Sequence, residues 1–68
     1  MYYVKEYYFE DGKTAVEIVV ADILTSEELR IVSKQGFYTE EKASCDYYCT
    51  TCKTLAEAKA YKMEVLSA

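Results

Sequence analysis

Apolar and polar positions alternate along the first third of the chain, and the pattern later takes on a helical period. Residues 2–9 and 13–21 are rich in Tyr, Val, Ile and Phe, and their period-two pattern is that of half-buried strands. Asp11-Gly12 lies between them and predicts a β-hairpin, because a type I′ turn needs positive φ at both central residues. A two-residue loop sets Glu10 against Lys13, Phe9 against Thr14 and Tyr7 against Val16. One face then carries Tyr3, Tyr7, Phe9, Val16, Ile18 and Val20, with Lys5 as its charged intruder. The other carries Tyr2, Val4, Glu6, Tyr8, Ala15, Glu17 and Val19. The first is the predicted core face. This register has one cost: Glu6 faces Glu17, and like charges directly opposite repel.

The pattern changes at Leu24. Thr25 followed three residues later by Glu28 fits a capping box, and Leu24 with Leu29 fits the hydrophobic staple around it. Acids fill the first turn, Lys34 sits in the last, and Gly36 stands at the C′ position. Residues 26–35 are thus predicted as a short helix burying Leu29 and Val32, with a strand over 29–33 as the alternative. Residues 37–39 and 44–51 read as a second hairpin looped through Glu40-Glu41-Lys42. Thr54 with Glu57 makes a second capping box, and residues 55–66 are good helix formers. At 100° per residue, Leu55, Ala58, Met63, Val65 and Leu66 share a side, Glu57 and Glu64 lie opposite, and Lys59 and Lys62 flank the stripe.

These elements predict an α+β fold in which an antiparallel sheet of about four strands is covered on one face. The C-terminal helix and a short middle helix form the cover, in the order ββαββα, or ββββα if the middle segment is extended. Sixty-eight residues fit a single domain, residues 1–68, near the lower limit for an unstapled core.

Charge narrows the function. The net charge is −4, with twelve acids against eight basic residues. The basic residues are scattered, so no stripe forms for a phosphate backbone and direct nucleic-acid binding is not expected. No apolar run reaches the roughly 18 residues needed to span a bilayer, and the first residues read as strand rather than as a signal peptide. A cytoplasmic location without membrane contact is expected. There is no His, no Gly-rich phosphate loop and no nucleophile–base motif, so no catalytic residue is assigned, no cofactor is expected and the chain reads as non-enzymatic.

Two residue sets remain as candidates for chemistry. Six of eight tyrosines come as doublets, Tyr2-Tyr3, Tyr7-Tyr8 and Tyr47-Tyr48, and a strand must turn one ring of each doublet to either face. Tyr2, Val4, Tyr8, Val19 and Tyr48 are therefore expected on an open sheet face, as an aromatic strip suited to a protein partner or a second copy of the chain. Around it, Glu10, Asp11, Glu40 and Glu41 at the hairpin turns would meet Lys and Arg of the partner. This is the form of a small phage or mobile-element inhibitor that occupies the basic, nucleic-acid-binding site of a host protein. The competing set is Cys45, Cys49 and Cys52, which include a Cys-x2-Cys spacing able to chelate zinc or form a thiol pair. A closed zinc site wants four ligands, and an odd cysteine count fits a disulfide framework poorly.

Overall fold

The computed structural model describes residues 1–67, Asp22 by its backbone alone. Its strands are β1 (Tyr2–Phe9), β2 (Thr14–Val20), β3 (Phe37–Glu41) and β4 (Cys45–Cys52). The α-helices are α1 (Ser26–Gln35) and α2 (Leu55–Ser67), and a 3-10 turn, Ala21–Ile23, follows β2. The four strands form one antiparallel sheet in the order β2-β1-β4-β3. The two hairpins thus meet along β1 and β4, leaving β2 and β3 at the edges.

The first hairpin turns one residue away from the predicted register. Phe9 N–H donates to Lys13 O and Gly12 N–H to Phe9 O, so the loop has three residues, Glu10-Asp11-Gly12. Gly12 alone has positive φ (88°) and Asp11 does not. That is a type I turn closed by a left-handed glycine, rather than the two-residue I′ turn. The Asp11 carboxylate accepts from Lys13 N–H at 3.0 Å, a local bond that favours the turn.

A one-residue slip exchanges the faces of β2. Tyr3 now pairs with Val19, Lys5 with Glu17 and Glu6 with Val16. The Glu6–Glu17 clash does not arise. Tyr3, Lys5, Tyr7, Val19, Tyr47 and Cys49 share one face; Val4, Glu6, Tyr8, Val16, Ile18 and Tyr48 share the other.

Each face has its own helix. α1 packs Val32 and Leu29 against Tyr3, Val19, Tyr47 and Cys49. α2 packs Ala58 and Tyr61 against Val4, Cys52, Val16 and Ile18. The C-terminal helix covers one face as expected, while the middle helix lies on the other. The link from edge strand β2 to edge strand β3 crosses that second face, so α1 covers it in passing.

Local signals set both helix starts. Glu28 N–H donates to Thr25 Oγ1 at 3.1 Å, and the Glu28 carboxylate accepts from Thr25 N–H, completing the capping box. Gly36, at φ 84°, ends α1 and donates to Val32 O. Its carbonyl then accepts from Thr51 N–H and Thr51 Oγ1, so one glycine stops the helix and starts the β3–β4 ladder. At α2, Glu57 N–H donates to Thr54 Oγ1 at 3.1 Å, but the Glu57 carboxylate accepts from Lys53 N–H rather than from the cap residue.

Two expectations change here. β3 runs to Glu41, so the loop falls at 42–44, closed by Lys42 N–H to Cys45 O. Glu40 and Glu41 are therefore residues of an edge strand and not of a turn. The buried stripe of α2 runs through Ala58, Tyr61 and Val65, leaving Leu55, Met63 and Leu66 exposed. Tyr61 carries enough area to take the place of the aliphatic residues expected there.

Candidate functional site

Two expected surface residues lie in the core, Val19 because the slipped register turns it to the α1 face and Val4 because α2 covers its own face. Val4 is fully buried beneath α2, and Val19 is 4% exposed on the α1 face. Neither is available to a partner, because each face has a helix over it. Tyr2 is half-buried against the α2 cluster. Tyr8 and Tyr48 remain at the surface of the α2 face, where their rings meet edge to face at 5.6 Å between centroids.

α2 crosses only part of that face. It packs over β2, β1 and the end of β4 and leaves the half towards β3 uncovered. The result is a groove of about 480 Å³ with Tyr8, Tyr48, Thr50, Phe37 and Thr39 along it and Tyr61 of α2 as its wall. Phe37 is 51% exposed and Tyr48 40%. Strand alternation explains the grouping. Glu6, Tyr48 and Thr39 are cross-strand neighbours in one row, and Tyr8, Asp46 and Glu41 in the next.

The acids of the groove are the second notable feature. Glu6 lines it while only 6% exposed. Its Oε1 accepts from the Tyr8 hydroxyl at 2.5 Å and its Oε2 from the Tyr61 hydroxyl at 2.9 Å. The bond to Glu6, helped by burial, pushes the Tyr8 hydroxyl up to about 12. Burial first, and then its bond to Glu6, raises Tyr61. At the rim Asp46 and Glu41 stand directly opposite each other, a like-charge pair that destabilises the bare sheet. Among the described residues no Lys or Arg lines this groove.

The other expected acids are placed differently. Glu10 and Asp11 are at the first turn, where Asp11 also lies 3.8 Å from Lys13. Glu10 and Glu41 line the same recess at the turn end of the sheet, beside Asp46 and Lys42. Glu40 turns to the α1 face, where it accepts from the Tyr38 hydroxyl at 3.3 Å.

The α1 face holds a complementary cluster that the sequence reading missed. Tyr47 donates to Glu28 at 2.5 Å, and Lys5 lies 3.9 Å from the same carboxylate. Tyr7 stacks on Tyr47 at 5.2 Å, and the ammonium groups of Lys5 and Lys42 lie 5.7 and 4.7 Å from the Tyr47 ring centre. Burial opposes ionisation of Glu28, but hydrogen bonds from Tyr47 and Thr25 and the nearby Lys5 charge outweigh it and hold the carboxyl below its usual value. Lys5 looked like an intruder on an apolar face. It is the counter-ion of an acid nineteen residues upstream of its tyrosine partner in the chain, a pairing no local pattern reveals.

The cysteines do not converge. All three are free and buried. Cys45 and Cys49 face α1, with Tyr47 between them on the strand, while Cys52 faces α2. Three residues apart on a strand means opposite faces, about 10 Å along the chain, so Cys49 and Cys52 cannot share a zinc ion or a disulfide. Among the described residues no group of three metal-capable side chains gathers. Burial raises the Cys49 and Cys52 thiols, the latter helped by Glu57, which disfavours thiolate chemistry.

Among the described residues no helix is long and apolar enough to cross a membrane. Comparison of the chain with known protein families, with curated proteins and with solved structures gives no match.

Proposed function

We propose that this chain is a non-enzymatic, acidic protein-binding domain that receives a basic partner on the uncovered half of the α2 face. The observation that carries the proposal is the groove itself. Its exposed rings, Phe37 and Tyr48, provide anchor area, and Glu6 and Asp46 line it beside them. Glu41 stands opposite Asp46 at its rim, and among the described residues no basic side chain lines it. Aromatic anchors within a polar rim are the usual composition of a protein-binding patch. The retained Glu41–Asp46 opposition is relieved when a cation lies across it.

The natural target surface is one rich in Lys and Arg, such as the nucleic-acid-binding site of another protein, which this domain would occupy in place of a phosphate backbone. The test is a pull-down from the source cell with the wild-type chain and with a Phe37→Ser/Tyr48→Ser chain, followed by competition with DNA. Both side chains are exposed, so the fold tolerates the change. Support is a partner that only the wild type retains, that elutes between roughly 0.1 M and 1 M salt, and that DNA displaces. Identical recovery by both chains, or binding indifferent to salt, overturns the proposal.

A further inference from the structure

Each face of the sheet holds a carboxylate bonded to tyrosine, Glu28 partly exposed and Glu6 buried, and a cation accompanies the first. On the α1 face Glu28 has Tyr47 as donor and Lys5 at 3.9 Å, and the ring of Tyr47 has two ammonium groups over it. On the α2 face Glu6 has Tyr8 and Tyr61 as donors. There, among the described residues, no Lys or Arg pairs with Glu6, and none lies over Tyr8, Tyr48 or Tyr61. A buried carboxylate without a counter-charge is costly, and two neutral donors offset only part of that cost.

We infer that the Glu6 end of the groove is a receptor for a single arginine side chain of the partner protein. The inference rests on the proposed binding of a basic partner and names the atoms that would read it. Each oxygen of Glu6 accepts one tyrosine hydroxyl and keeps a further acceptor site for a guanidinium N–H. Tyr8 and Tyr48, nearly perpendicular at 80°, offer one ring face for stacking and one ring edge as a wall. Asp46, beside Tyr8 on the same face, adds a second carboxylate at the mouth. A planar, weakly hydrated guanidinium can stack and donate in a fork at once, which a compact ammonium cannot. The occupant therefore supplies on this face the cation that Lys5 supplies on the other.

The probe is a capped tripeptide, acetyl-Gly-Arg-Gly-amide, titrated into the intact chain and followed by NMR of the tyrosine rings and the Glu6 carboxyl carbon. The controls are the same peptide with citrulline or lysine at the centre. Expected are saturable shifts confined to Tyr8, Tyr48, Tyr61 and Glu6, weaker binding of the lysine peptide and none of the citrulline peptide. Glu6→Gln should reduce the affinity for the arginine peptide about tenfold or more. Asp46 is exposed, so Asp46→Asn keeps the fold even where Glu6→Gln does not, and it should weaken binding about threefold. Equal binding of the citrulline peptide, shifts elsewhere on the surface, or unchanged affinity in Asp46→Asn overturns the inference. A salt-sensitive protein partner lost by the Phe37→Ser/Tyr48→Ser chain, together with no arginine-peptide binding, overturns this inference alone and leaves the broader proposal standing.

Discussion

Single residues in this protein carry tasks that separate cleanly by mutation. Gly12 and Gly36 both hold φ near +85°, where an L side chain is strained. An added Cβ meets nothing at Gly12 and only ordinary contact with Thr51 at Gly36. Each Gly→Ala change should therefore cost about 1 kcal/mol of backbone strain and little more, measurable by urea denaturation. A much larger loss at Gly36 would mean that its junction with Thr51 bears more than one helix stop. Val4→Ala is expected to cost about 2 kcal/mol, since the side chain is fully buried; a surface valine would show almost no loss. The tyrosines also set a pH response. Tyr8 holds its proton up to about 12, and Tyr7, Tyr47 and Tyr61 are raised as well. An unfolded chain releases these protons from about pH 10. Their contribution to stability is thus complete below pH 10 and declines as pH rises through the folded values. Spectrophotometric titration should find part of the tyrosine set ionising only with unfolding, and Glu6→Gln should bring Tyr8 down towards 10. Glu28 works in the opposite sense, its stabilisation present at neutral pH and lost as acid protonates it below its ordinary 4.5.

At the level of elements, how far each was legible followed from how local its determinants are. The start of α1 at Thr25, its stop at Gly36 and the cap of α2 at Thr54 each rest on residues within four positions of one another. Such signals survive in sequence. Thr25→Ala and Thr54→Ala should each cost about 1 kcal/mol, read as a fall in thermal midpoint. The first hairpin was legible as a hairpin but not in register. Asp-Gly supports both a two-residue I′ loop and a three-residue loop ending in a left-handed glycine. The choice came from burial on both sides of the sheet: the slipped register puts Val19 under α1 and Val16 and Ile18 under α2. Once two helices cover two faces, period-two alternation no longer marks an inside and an outside. The stripe of α2 was misplaced for a related reason, since a helix resting on only half a sheet buries whichever side chains reach it, here Ala58, Tyr61 and Val65.

Across the whole molecule, the candidate site is what the two helices leave uncovered. α1 spans its face as the link between the outer strands, while α2 follows β4 and leans towards β2. The β3 half of the second face stays open as a consequence, with Tyr8, Tyr48 and Phe37 on it. The cysteines gain a defined role at this scale too, as buried small residues on both sides of β4. A thiol reagent should modify none of the three at neutral pH in the native state and all of them in urea; rapid reaction of a native thiol would contradict their packing. The sequence by itself determined the elements and their ends, the α+β class and the acidic, tyrosine-rich character of the surface, because these depend on neighbours in the chain and on totals. Only the tertiary structure decided which tyrosines are buried, that Val4 and Val19 belong to the core, and that Glu6 sits in an aromatic groove with no cation paired to it among the described residues. Those outcomes turn on a one-residue register and on the path of two helices, and both are settled by contacts between residues far apart in the chain.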